Sequence, residues 1–170
     1  VAGIAALALS ACSGGESSGG SSPTGAAGDL VRKVGTIFPQ TGSLATLGPP
    51  EIAGVDLAVK DINDAKAGMT VSVTHTDSGD TTTNIATQSA TSLLSQGVSG
   101  IVGAASSGVS MTIIDQITQA GVVQMSPANT SPDFTTYKDN GFYWRTAPSD
   151  VLQGQILGNK IVEDGKKNVA

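Results

Sequence analysis

The strongest constraint on this chain is a hydrophobic period that changes repeatedly along it. Stretches that alternate every second residue give way to stretches that repeat every three or four. Val31–Phe38 (VRKVGTIF) reads as a strand that ends at Pro39. Ile52, Val55, Val59 and Ile62 then recur at i, i+3, i+7 and i+10, one face of a helix, with Pro50 and Glu51 as start signals. Met69–His75 alternates again, and a helix follows over Thr82–Ser95, with Ala86, Ala90, Leu93 and Leu94 on one side and Gly97 ending it. Gly100–Val102 predicts a short strand and Val109–Ala120 a helix buried through Ile113, Ile114 and Ile117. Strands at Val122–Met125 and Phe142–Trp144 and a helix at Val151–Glu163 complete the series, and Asn168-Val169-Ala170 reads as the start of a further strand. Strands alternating with helices of this length predict an α/β fold: a Rossmann-like parallel sheet, flanked by helices on both faces.

Composition narrows the function. The chain has 170 residues, 39% hydrophobic and 14% charged, which suits one packed domain rather than a disordered segment. Nine basic against 14 acidic residues give a net charge of −5, so no basic footprint for nucleic acid exists. A single Cys excludes an internal disulfide, and one Cys with one His makes a poor zinc site. No metal or organic cofactor is implied.

The first thirty residues read differently from the rest. Val1–Ala11 is uncharged and aliphatic, about half the ~20 residues that span a bilayer, and matches the apolar core of a secretory signal. Leu9-Ser10-Ala11-Cys12 resembles the lipobox of bacterial lipoproteins, which implies lipidation at Cys12. Ser13–Asp29 (SGGESSGGSSPTGAAGD) has the composition of a flexible tether. The expected organisation is a signal remnant and lipobox over 1–12, a tether over 13–29, and a folded lobe over 30–170. The chain lacks an initial Met and stops on Val169-Ala170, so it is expected to be a piece of a longer protein.

In sheets of this kind ligands sit beyond the carboxyl ends of the strands. That singles out Pro39–Gly48, Gly103–Ser110 and Ser126–Pro132, none of which carries a charged side chain. An enzyme is poorly supported there. Neither Ser106 nor Ser107 has Gly at both −2 and +2, as a nucleophile elbow needs, and the one His, His75, ends a different strand and reads as structural. Phosphate-binding glycine motifs are absent, and Asp77 and Asp80 read as turn formers. A binding site is better suited: hydroxyls and free N–H groups at helix starts can hold a carboxylate. The residues alone leave capping and solute binding equally open.

Several blocks in order resemble the leucine/isoleucine/valine-binding proteins of ABC importers. They are Val34-Gly35-Thr36-Ile37-Phe38-Pro39-Gln40-Thr41-Gly42 with Gly48, then Gly54, Leu57-Ala58-Val59 and Asp61-Ile62-Asn63. Gly103-Ala104-Ala105-Ser106-Ser107, Ser126-Pro127-Ala128-Asn129-Thr130-Ser131-Pro132 and Arg145-Thr146-Ala147-Pro148-Ser149-Asp150 continue the pattern. The resemblance implies the first lobe of a type I periplasmic binding protein, with its second lobe missing, that closes on an amino acid like a hinge and passes it to permease subunits. It implies that Ser107 binds the α-carboxylate, with Ser106 beside it. Ala128 would offer its carbonyl to the ammonium, Thr130 would touch both groups, and Leu47 would face the ligand side chain. Asn129, where the family commonly has a small residue, is expected to alter pocket polarity. Pro127, Pro132 and Arg145 are expected to be structural, Trp144 core, and Tyr137 part of a surface loop. Urea, short amides or another small polar solute, or a sensory role, are the alternatives. A lone first lobe is expected to bind weakly and to expose apolar sheet surface.

Overall fold

The computed structural model describes residues 30–169. The expectations for 1–12, Cys12 included, for 13–29 and for Ala170 lie outside the described residues. Within them, five strands form one sheet: β1 (Leu30–Phe38), β2 (Met69–Asp77), β3 (Gly100–Gly103), β4 (Val123–Ser126) and β5 (Tyr143–Arg145). The order is β2-β1-β3-β4-β5 and every pair is parallel. Four helices accompany it: α1 (Gly48–Asp64), α2 (Ile85–Ser95), α3 (Ser107–Gln119) and α4 (Asp150–Glu163), with a 3-10 turn at Pro132–Thr135.

Right-handed crossovers dictate the layers. The chain steps one way from β1 through α1 to β2, then back across β1 through α2 to β3. So α1 lies on one face, and α2 and α3 on the other. On that second face Ile37, Ala90, Leu93, Ile101, Ile113 and Ile117 form a fully buried core. A Cβ at Gly35 would stand 2.5 Å from Leu93 Cδ1, so glycine there lets α2 lie directly on β1. A second cluster of Ile114, Phe134 and Tyr143 extends this layer under β5, with Phe134 and Tyr143 stacked at 4.5 Å.

Helices lie on both faces of the sheet, as expected, but α1 covers only part of its own face. One row across the α1 face reads His75, Thr36, Val102, Met125, Trp144. Helix α1 reaches His75 through Asp56, whereas Met125 is 41% and Trp144 60% exposed. Trp144 is therefore not core. It occupies the opposite face from Tyr143, and its indole N–H donates to the Gly141 carbonyl at 3.0 Å. Tyr137 does lie in a loop, but its ring packs against the Phe134 cluster and its hydroxyl donates to Asp115. Helix α4 forms where its period demands, capped by Ser149, yet buries no residue. Asn168 and Val169, where a further strand was expected, are not in a strand.

Other boundaries move by local chemistry. Helix α1 starts at Gly48, with prolines in its first turn, because proline lacks an N–H that the first turn leaves free anyway. Helix α2 starts at Ile85 rather than Thr82, since Asp80 accepts the backbone N–H and hydroxyl of Thr82 and holds that segment as a turn. Strands β4 and β5 sit one residue later than expected.

Candidate functional site

The strand order reverses between β1 and β3, and the crevice beyond their carboxyl ends is where an open parallel sheet binds ligands. Two glycines permit the loops to converge there. A Cβ at Gly48 would fall 2.0 Å from the Pro39 carbonyl oxygen, and one at Gly103, whose φ is +125°, 2.2 Å from that of Ile37.

Helix α3 starts at Ser107, two residues before the expected Val109; Ser106 is the cap, its hydroxyl accepting the Val109 N–H at 3.5 Å. Ser107 Oγ accepts two backbone N–H groups from across the crevice, Thr130 at 3.2 Å and Ser131 at 3.3 Å. A hydroxyl has two lone pairs and one proton. With both lone pairs engaged, the Ser107 proton remains to be donated, at a helix start whose first N–H groups also seek an acceptor. Ala128 donates its N–H to Ser126 Oγ at 3.2 Å, and no donor among the described residues reaches its carbonyl. Thr130 is half-buried and its carbonyl accepts the Asp150 N–H. The structure thus brings Ser106, Ser107, Ala128 and Thr130 together, with donors and acceptors side by side.

Leu47 sits on the neighbouring β1–α1 loop, 45% exposed. That loop is held by Asp77, whose Oδ1 accepts the N–H groups of Gln40 at 2.9 Å, Thr41 at 3.1 Å and Gly79 at 2.9 Å, while Oδ2 accepts the Thr41 hydroxyl. Burial raises the Asp77 pKa, but these bonds outweigh it and hold the carboxyl below its ordinary value. Asp77 and Asp80 are turn formers, as expected.

Two residues do other work than the sequence suggested or left open. Asn129 does not tune pocket polarity: it is fully buried and directed into the protein. Its Nδ2 donates to the carbonyls of Ala104 at 3.0 Å and Ala105 at 2.9 Å, and its Oδ1 accepts the Tyr143 hydroxyl at 2.7 Å. Burial pushes the Tyr143 hydroxyl pKa up to about 12, so it stays a donor. Arg145 is structural: its guanidinium donates to the Ser131 carbonyl at 2.6 Å and to Thr135 Oγ1 at 2.9 Å. His75 joins Thr36 Oγ1 at 2.8 Å to Asp56 Oδ1 at 2.9 Å, the composition of a catalytic triad. Thr36 is wholly buried in β1, so its hydroxyl meets no substrate and the trio pins α1 to the sheet. Among the described residues no acidic, His or Cys cluster could hold a metal, and no helix is long and apolar enough to cross a membrane.

The periplasmic binding protein family matches residues 32–170. The chain is similar to a Leu/Ile/Val-binding protein homolog of Brucella melitensis, 28% identical over 141 residues, covering 81% of this chain and 38% of that protein. It is also similar to the leucine-specific-binding protein of Salmonella typhimurium, 29% identical over 170 residues, covering 98% and 41%. Among solved structures, the substrate-binding protein of a branched-chain amino acid transporter from Streptococcus pneumoniae, in complex with isoleucine, superposes with a TM-score of 0.70 at 34% identity, covering 78% of this chain and 38% of that one. The chain spans about two fifths of the length of these relatives.

Proposed function

The chain belongs to the periplasmic binding protein family, and from that premise we propose that it is the first lobe of a solute receptor that captures amino acids, branched-chain ones foremost, outside the cytoplasm for an ABC importer. It binds and delivers its solute without transforming it. The lobe is residues 30–170, carried on the 13–29 tether from a lipid on Cys12, and its partners are the membrane through that lipid and the permease subunits.

The observation that carries this reading is the Ser107 oxygen, filled by the Thr130 and Ser131 N–H groups and left with a proton to give. A carboxylate accepts that proton and the free N–H groups at the start of α3, with the helix dipole in its favour. An ammonium beside it donates to the Ala128 carbonyl and the Thr130 hydroxyl. The solute side chain then lies toward Leu47. On this lobe the zwitterion is met by dipoles alone, and the second lobe closes over it.

The bare half of the sheet fits the same proposal. Met125 and Trp144 await cover, and a groove of about 450 Å³ between α1 and the sheet is lined by Val34, Phe38, Val55, Val59 and Val102. Parallel sheets are normally covered on both faces, so the remaining chain of the two-lobed protein packs here.

The test is a thermal-shift screen of the two-lobed protein against the proteinogenic amino acids, urea and small amides. A solute at ~100 times its Kd adds about 2.7 kcal/mol of stability. A shift with leucine, isoleucine or valine supports the proposal. A shift with urea or amides alone, or none at all, removes the amino acid as the solute.

A further inference from the structure

The two loops that would grip the solute are joined by very few side chains, and one of them touches no solvent. Ser107 ties the start of α3 to Thr130 and Ser131. Ser126 Oγ donates to the Ala104 carbonyl at 2.7 Å and accepts the Asn129 N–H at 3.0 Å. Asn129 spans the gap with its whole side chain, reaching back to the two carbonyls that immediately precede Ser106.

The geometry points to Asn129, locked by Tyr143, as a positioning residue of the solute site, an inference that rests on the function proposed above. The side-chain amide offers two N–H groups and a carbonyl, and all three are used in directions it cannot exchange. Nδ2 must face Ala104 and Ala105, because both are acceptors. Oδ1 must face the Tyr143 hydroxyl, a donor. The Tyr143 ring is itself fixed, stacked on Phe134. An amide held at three points sets the separation between the Ala104–Ser107 strand-to-helix turn and the Ala128–Ser131 loop. That separation decides whether Ser107, Ala128 and Thr130 meet one amino-acid backbone together. Binding groups held to within about half an ångström by locked neighbours are what a preorganised site requires. An alanine at 129 would leave the space of the amide empty, and the two carbonyls and the Tyr143 hydroxyl would lose a partner each.

The two-lobed protein supplies the test. Asn129→Ala and Tyr143→Phe are each prepared alone and combined with Ser107→Ala, titrated with L-leucine, and followed by deuterium uptake without solute. Asn129→Ala is expected to weaken L-leucine by roughly tenfold or more, about 1.4 kcal/mol for each tenfold. Combined with Ser107→Ala, the losses should fall clearly short of multiplying, because one residue acts through the other. Uptake should quicken across 104–110 and 126–131 and stay unchanged in β1 and β2, which a general loss of stability would not produce. Unchanged L-leucine affinity, fully multiplying losses, or unchanged uptake in those two stretches each overturn the inference. Tyr143→Phe removes one oxygen and decides the matter should Asn129→Ala not fold. If the parent protein binds no solute at all, the proposed function fails, and the uptake alone then decides whether Asn129 ties the loops.

Discussion

Removing the Ser107 hydroxyl separates a stabilising role from a binding one. In Ser107→Ala, the Thr130 and Ser131 N–H groups lose their acceptor. Each such bond contributes about 0.5–1.5 kcal/mol when both partners are present. Ser107 is only half-buried, so water can replace part of what is lost, and the combined cost falls near 1 kcal/mol. For a protein of this size or larger that lowers Tm by about 2–4 °C. The effect on solute is larger, since the lost O–H would have donated to a charged carboxylate, a bond contributing roughly 1.5–3 kcal/mol. The expected result is therefore a 10- to 100-fold weaker Kd for L-leucine at about 1.4 kcal/mol per tenfold. Isothermal titration at a temperature well below the melt, with a solute-free melt alongside, measures both. Should the variant melt a few degrees lower yet hold L-leucine within about threefold of the parent, the hydroxyl would be a loop tie and nothing more, and the proposed site would be wrong.

Gly48→Ala would push a Cβ to within 2.0 Å of the Pro39 carbonyl oxygen, and urea unfolding should show a loss on the order of 1–3 kcal/mol. Asp77 contributes stability that is present above its unfolded-state pKa, near the ordinary 3.8, and is lost as pH falls through its lower folded value. Melts of Asp77→Asn should accordingly differ most from the parent at neutral pH, with the difference shrinking only below about pH 4 and vanishing beneath the folded-state value. Met125→Glu with Trp144→Glu should leave the melt of the isolated 30–170 lobe nearly unchanged while reducing its aggregation by light scattering; in the two-lobed protein the same pair should destabilise, and an unchanged melt there would mean that face is never covered.

The sheet was legible because its strands and helices obey different periods, and each of the five strands was anticipated to within a residue or two. What the period could not convey was which helix face finds a partner. Helix α1 carries Ile52, Val55, Val59 and Ile62 as a clean stripe, yet Ile62 remains 38% exposed, because amphipathicity records a helix's preference and not whether a second element answers it. Ser107 was singled out through its resemblance block of small residues, but the start of α3 lies two residues earlier than expected, since the apolar period begins only at Val109 and the serines before it carry no period. Asn129 was misread for a plainer reason: its partners at Ala104, Ala105 and Tyr143 are distant in sequence, and no spacing connects them.

The central position of β1 has a consequence for the order in which the sheet can assemble. The first strand to emerge is completed late. Thr36 pairs on one side with His75, 39 residues on, and on the other with Val102, which follows only after β2 and α2. Among the described residues every strand pairing is parallel and needs a crossover, so no hairpin there can form early and wait. Only once β3 has followed β2 and α2 can β1 have both of its neighbours.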